Sequence, residues 1–312
     1  MPRCVLPGKM YLLTRRTTRR YFLFRPDEDR TMEEIFWYCL AVAAAKHGVL
    51  IHSVILLSNH VHLVVTDVRG VLPDFLHDFH RWLACATKSH RGWPAEVFDK
   101  GQTSAVELVT PVAVVREMAY VTANAPLSGL VRYAHEWPGA MSRVQDVGRR
   151  VVRAKRPAHW FDAESESVEW PDEIALSIEM PQVLVRAHAS AEAAREAIGR
   201  EVERLERKAW DEARRGGRGF LGAERAVRVA ITDRGSKWEL FGGRSPTFAA
   251  GGDVEAARGA VERLRVFRGG YCDSLARWRG GERDVAFPAG TWWMRVHHGA
   301  RCHAAPQARA PD

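Results

Sequence analysis

No stretch of this sequence is apolar for long enough to cross a bilayer. The longest run, Phe36 to Ala45, falls well short of the roughly 20 residues a spanning helix needs, so no membrane partner is expected. The opening residues lack the apolar core of a secretory leader. Cysteine is scarce. Cys4, Cys39, Cys85, Cys272 and Cys302 are odd in number and scattered, with no Cys-x-x-Cys pair, which argues against a disulfide framework or a zinc ribbon and for reduced thiols in a cytoplasmic protein. No Gly-Lys-Ser/Thr phosphate loop is present, so no nucleotide cofactor is expected. No internal repeat is visible.

What the chain does have is positive charge. Lys and Arg number 46 against 38 Asp and Glu, a net +8 over 312 residues, which favours a polyanionic partner. Arg15, Arg16, Arg19, Arg20 and Arg25 crowd the first strand region. They read either as a solvated strand edge or as phosphate contacts. The hydrophobic share of 46% and charged share of 27% suit a globular chain of one domain plus an appendage, or of two domains.

Hydrophobic periodicity gives an order of elements. Residues 10 to 24 read as a first strand with a basic interruption. Asp29 or Thr31 can cap a helix running to about Lys46, and Gly48 ends it. Strands at 50–57 and 60–67 flank Ser58-Asn59. Pro73 opens a second helix to about Ser89. A strand at 104–109 precedes a helix that Pro111 opens and Pro126 should stop. This is the α+β, ferredoxin-like βαββαβ order, an antiparallel sheet with helices on one face, plus one added helix.

After about residue 145 the character changes. The expected division is 1–145 for the first domain, 146–189 for a linker or irregular strand-bearing segment, and 190–312 for a mainly helical C-terminal accessory region. Ser190 caps a highly charged helix over 191–215, read as a solvated helix laced with ion pairs. A last helix over 254–278 carries Ala257, Val261, Leu264, Phe267, Tyr271 and Leu275 as a core-facing stripe. In the tail, Trp292 and Trp293 suit a strand docking on the body, or stacking on unpaired bases. His297, His298, Cys302 and His303 leave a weak zinc alternative.

One constellation carries chemistry. In Leu56-Leu57-Ser58-Asn59-His60-Val61-His62-Leu63-Val64-Val65, alternation puts His60 and His62 on one strand face. Side-by-side imidazoles are half of a metal site, or simply histidines on a wet sheet face. In the helix after Pro111, Tyr120 and Asn124 are i and i+4 and share a side. A tyrosine oxygen can attack phosphorus, an amide oxygen can complete a magnesium-type ligand set, and a divalent cation offsets the developing charge. Alone, Tyr120 reads as a core or rim aromatic. With the helices covering one sheet face, alternation assigns His60 and His62 to the open one, and the Tyr120 helix must fold back across that face.

Ser58-Asn59-His60-Val61-His62-Leu63 and Tyr120-Val121-Thr122-Ala123-Asn124-Ala125-Pro126-Leu127-Ser128-Gly129-Leu130-Val131 together resemble the two motifs of the single-tyrosine HUH (histidine-hydrophobic-histidine) transposases, the closer branch being the REP-associated tyrosine transposases. The resemblance covers roughly residues 8 to 140. Ala125 intervenes where that family reads Asn-Pro, and Glu96-Val97-Phe98-Asp99-Lys100-Gly101-Gln102 replaces a basic, glycine-containing stretch. The resemblance implies that His60, His62 and Asn124 hold magnesium or manganese. It implies that Tyr120 is the nucleophile on single-stranded or hairpin DNA, forming a 5′-phosphotyrosine link, and that the chain can be a homodimer. In that setting Arg15, Arg16, Arg19 and Arg20 are expected on DNA phosphates. Two rivals stay open: a non-catalytic nucleic-acid-binding regulator of the same fold, and a metal-dependent phosphodiester hydrolase that uses water.

Overall fold

The computed structural model describes residues 2–101, 103–161, 170–235 and 246–305. Gln102 and parts of the 146–189 and 218–252 segments lie outside them. In chain order the elements begin β1 (Lys9–Arg16), α1 (Thr31–His47), β2 (Val49–Leu57), β3 (His60–Asp67), α2 (Leu72–Arg91), β4 (Ser104–Leu108), α3 (Pro111–Thr122) and α4 (Asn124–Leu127). They continue with β5 (Val151–Lys155), β6 (Glu173–Ser177), α5 (Gln182–His188), α6 (Ala191–Arg215), α7 (Ala223–Ala226), β7 (Phe248–Ala249), α8 (Val254–Arg279) and α9 (Trp292–His298).

The main sheet has the order β2-β3-β1-β4-β7. Its first four strands are antiparallel in the expected ferredoxin-like order. β7 joins β4 in parallel over only two residues, too short to leave a periodic signal. The connections have local causes. Gly48 ends α1 in a left-handed conformation (φ 67°). Asp29 Oδ1 accepts from Thr31 N at 3.1 Å, so Asp29 supplies the helix-start bond and Thr31 is the first helical residue. Asp67 is buried at the end of β3, where its carboxylate accepts from Gly70 N, Val71 N and Leu72 N at 2.8–3.0 Å and turns the chain into α2. Thr110 Oγ1 accepts from Ala113 N at 3.1 Å and starts α3, with Pro111 at the position where its missing N–H costs nothing.

Neither face of β3 is open. Val61, Leu63 and Val65 are buried, and so are His62 and Val64 on the other face. The expected open face is covered because α3 lies across β2 and β3, and α6 packs on α3. Ala194, Ile198, Val202, Leu205 and Ala209 form the buried side of α6. The ion pairs foreseen for this helix line its outer side, among them Glu196–Arg200 and Glu203–Arg207. The helix is therefore solvated on one side only.

The 146–189 segment carries the β5–β6 hairpin and α5. β5 and β6 pack on α1, and Ile178 bridges to Ile51. α8 buries only Ala260, Phe267 and Ser274. Of its expected stripe, Val261 is 55% exposed. A small second cluster of Val285, Phe287, Met294 and Ala300 receives Tyr271, Leu275 and Trp278. The tail does dock through Trp292, whose Nε1 donates to Asp74 Oδ2 at 3.0 Å, but as the helix α9 rather than as a strand. Among the described residues no helix is long and apolar enough to cross a membrane.

Candidate active site

β3 supplies the two histidines. Their rings lie on one strand face, with centroids 4.8 Å apart and planes at 90°. His62 sits opposite Thr14 of β1 and Ile55 of β2, and its Nδ1 is 2.8 Å from Thr14 Oγ1. Burial, the neighbouring His60 and Arg16 together push its pKa well below the ordinary histidine range. His62 is thus a neutral imidazole with a lone pair to offer. His60 is half-buried. Its Nδ1 is 2.6 Å from Asn59 Oδ1, and its Nε2 is 3.3 Å from Asn124 Oδ1.

α3 brings Tyr120 to this pair. The ring is 36% exposed, and its centroid is 5.4 Å from that of His62 at 77°. Tyr120 and Asn124 do not share one continuous helix. α3 ends at Thr122, whose Oγ1 turns back to donate to Met118 O at 3.0 Å. Ala123 makes the break, and Asn124 opens the short α4. Pro126 lies inside α4 instead of stopping α3, since the first turn of a helix tolerates its missing N–H. Asn124 is almost fully buried and points its amide at His60. Tyr120, His60, His62 and Asn124 are therefore together.

The arginines divide. Arg15 donates to the carbonyls of Asp99 and Gly101 and lies 5.2 Å from the centre of the Phe98 ring, so its guanidinium is occupied in holding the 98–101 loop. Arg16 ends β1 on the exposed side, beside the histidine row. Arg19 and Arg20 both adopt left-handed backbone angles (φ 48° and 61°), costly for residues with a Cβ. The turn is held by Thr17 Oγ1, which donates to Tyr21 O at 2.6 Å, and by Asn59 Nδ2, which donates to Arg20 O at 3.3 Å. The segment before residue 236 also reaches this turn. Phe22 N donates to Asp233 O at 3.0 Å, and the Arg234 guanidinium sits 4.4 Å from the centre of the Tyr21 ring.

Sequence reasoning assigned no role to Thr14, Asn59 or Arg234. Thr14 needs the strand register to be known. Asn59 stood beside the histidine motif and was readable as a candidate from that adjacency. Arg234 left no signal.

The donor set fits a divalent cation. The His62 ring lies 4.8 Å from that of His60, centroid to centroid, and His60 Nε2 is 3.3 Å from Asn124 Oδ1, so two imidazoles and an amide oxygen stand side by side. Two nitrogens and one oxygen suit manganese at least as well as magnesium. Among the described residues no group of three or more His, Cys, Asp or Glu is placed to hold a metal. The tail residues His297, His298, Cys302 and His303 form no such group, and the site at β3 differs in taking an amide as its third donor.

No protein-family model and no curated protein matches this sequence. Solved structures do show likeness. One is a REP-associated tyrosine transposase bound to a REP hairpin, at 14% identity and a TM-score of 0.40, covering 55% of this chain and 96% of that one. Another is a candidate transposase from Deinococcus radiodurans R1, at 18% identity and a TM-score of 0.27, covering 34% of this chain and 83% of that one. Likeness at this level carries no statement about activity. The chemistry is argued from the four side chains alone.

Proposed function

We propose that this chain cuts and rejoins single-stranded DNA, at sites flanked by hairpins, through a covalent tyrosine intermediate. The observation that supports it is the placing of the partly exposed Tyr120 ring 5.4 Å from a buried, neutral His62, with His60 and Asn124 alongside. Tyr120 Oη attacks the phosphorus of a phosphodiester. The new O–P bond replaces the P–O3′ bond, the phenol loses its proton, and the departing 3′ oxygen gains one. The product is a 5′-phosphotyrosine and a free 3′-hydroxyl, and attack by a 3′-hydroxyl reverses the step. The link conserves the bond energy, so no nucleotide is consumed.

His60, His62 and Asn124 would hold magnesium or manganese, which supplies polarisation of the phosphate when bound. Burial keeps His62 neutral and therefore able to ligate. Arg16, Arg19 and Arg20 are the phosphate contacts in this reading, and Arg15 shapes the loop beside them. A homodimer and a cytoplasmic setting belong to the same reading. The chain is a transposase in it, or a domesticated descendant of one.

The test is covalent capture. With manganese and a labelled hairpin carrying a single-stranded flank, the parent protein should remain attached to DNA after denaturation. Tyr120→Phe should give no adduct and no cleavage while binding the same DNA, since at most about 1 kcal/mol of hydrogen bonding is lost with the hydroxyl. Cleavage by Tyr120→Phe at the parent rate would hand the chemistry to a water nucleophile. No cleavage by the parent, with binding intact, would favour the regulator. Replacing Arg19 and Arg20 together should flatten the salt dependence of binding by about 1.4 in log–log slope, two single-strand phosphate contacts at about 0.7 each.

A further inference from the structure

The Asn59 amide lies between two fixed partners. On one side is the main-chain carbonyl of Arg20, 3.3 Å from Nδ2. On the other is His60 Nδ1, 2.6 Å from Oδ1. A carbonyl oxygen can only accept, so the amide edge facing Arg20 must be the NH2 group. The edge facing His60 is then the oxygen, which also only accepts. A bond at 2.6 Å to an oxygen without a proton requires that His60 Nδ1 carry one. In a neutral imidazole the lone pair then lies on Nε2, the nitrogen turned toward Asn124 Oδ1. The chain of partners thus sets which nitrogen of His60 carries the lone pair, and it begins at a backbone atom whose role cannot invert.

The Arg20 carbonyl is itself aimed by the two left-handed residues Arg19 and Arg20. Arg20 N donates to Thr17 O at 3.1 Å and Tyr21 N to Thr18 O at 3.1 Å, which closes the turn. The 227–235 segment braces it from outside through the Asp233 carbonyl on Phe22 N and the Val227 carbonyl on the Arg25 guanidinium. A Cβ on Gly235 would stand 3.1 Å from Asn59 Nδ2, so the chain passes the amide with little room to spare.

We propose that Asn59 is a positioning residue. By linking the Arg20 carbonyl to His60 it holds His60 in the Nδ1–H tautomer and presents Nε2 as a ligand, and the Thr17–Tyr21 turn with its C-terminal brace is the anchor it works from. The ligand role rests on the reading of His60 as part of a metal site. The tautomer does not. Partners of this kind on a ligating histidine typically change metal affinity by about 10- to 100-fold.

The experiment uses the full chain with 15N-labelled histidine rings and reads the His60 tautomer by long-range 1H–15N NMR at pH 8.5, with His60→Gln to assign its signals. The parent should show His60 protonated on Nδ1. Asn59→Ala should lose that state, with the His62 signals unmoved, and manganese affinity measured by electron paramagnetic resonance should fall about 10- to 100-fold. Asn59→Asp keeps an oxygen toward His60 but has no donor for Arg20 O. It should retain the Nδ1–H tautomer with a smaller loss of manganese affinity. If Asn59→Ala does not fold, the parent tautomer and Asn59→Asp carry the test. A parent His60 protonated on Nε2, or Asn59→Ala with unchanged tautomer and manganese affinity, overturns the proposal. A parent that binds no manganese while its tautomer still follows Asn59 removes the metal reading and leaves the positioning role standing.

Discussion

α6 and α8 are helices of nearly equal length, 25 and 26 residues, both rich in Glu and Arg. Their situations are opposite. α6 lays a buried stripe against α3, the helix that carries Tyr120. α8 buries three residues and leaves Val254, Val261 and Val266 more than half exposed. Charge content therefore says little about how firmly a helix is attached. What separates the two is whether a sparse apolar stripe meets a complementary surface. For α6 that surface is the back of the candidate site, so its packing supports the position of Tyr120, while α8 serves a small cluster of its own.

The largest effect should come from removing packing under α6. Ile198→Ala, at a residue 1% exposed, should cost about 2–5 kcal/mol by the usual cavity argument. It should also lower the yield of covalent adduct more than the stability loss alone predicts. Chemical denaturation beside single-turnover capture reads both. A stability loss under about 1 kcal/mol would break the contrast between the helices.

Next is a pH effect on the attachment of the segment leading into α5 and α6. His52 is buried, its Nδ1–H donates to Glu179 O at 2.8 Å, and its Nε2 accepts from Thr66 Oγ1 at 2.8 Å. Burial depresses its pKa to about 4, outweighing the opposing bond to the Glu179 carbonyl. The folded value lies below the unfolded value of about 6.5. Its contribution is therefore complete above about pH 6.5 and is lost as pH falls through 4, with an upper size on the order of 3 kcal/mol. Protection of the amides around residues 179–198, corrected for the intrinsic pH dependence of exchange, should fall across this window ahead of protection in α8, and His52→Gln should remove that difference. Equal acid sensitivity of α6 and α8 would show that His52 anchors nothing particular.

Two smaller effects sharpen the comparison. Ser190 Oγ accepts from Ala193 N at 3.0 Å at the start of α6, so Ser190→Ala should cost about 1 kcal/mol in a thermal melt. Val261→Ser on α8 should change stability by less than about 0.5 kcal/mol. A larger loss would mean that this side of α8 is covered in solution.

Much of this was legible in the sequence. The bounds of α6 and α8, the stop at Gly48 and the strands β2, β3 and β4 follow from period, caps and breakers, whereas the first strand, expected over 10–24, ends at Arg16 and gives way to the turn at Thr18–Arg20. His60 and His62 followed from alternation alone. What was lost depended on partners distant in the chain. The sequence order leaves the histidine face open to α3 alone, which does fold across it; the second layer, α6 on α3, is hidden because its apolar residues at 194, 198, 202, 205 and 209 are sparse among charges. α9 was read as a strand from its aromatic pair, and its helical form goes with the burial of Met294 and the bond from Trp292 to Asp74. The break at Ala123 has no local marker, since proline two residues into a new turn looks from sequence like the end of an old one.

The meeting of residues 4–5 with residues 289–291 has a kinetic consequence. Val5 N donates to Gly290 O at 3.0 Å, Cys4 bridges to Thr291, and a Cβ on Gly290 would come within 2.7 Å of Cys4 Sγ. β1 can pair with β3 once residues 60–67 have been made, with α1 and β2 lying between the two strands, while the rest of the chain is still being made. The residues just ahead of β1 must wait for a partner nearly the whole described chain away, a closure that is entropically slow. Folding should then run in two stages on the ribosome, with an early sheet and a late latch. Until the latch closes, the lead-in to β1 stays exposed to proteases and to neighbouring nascent chains.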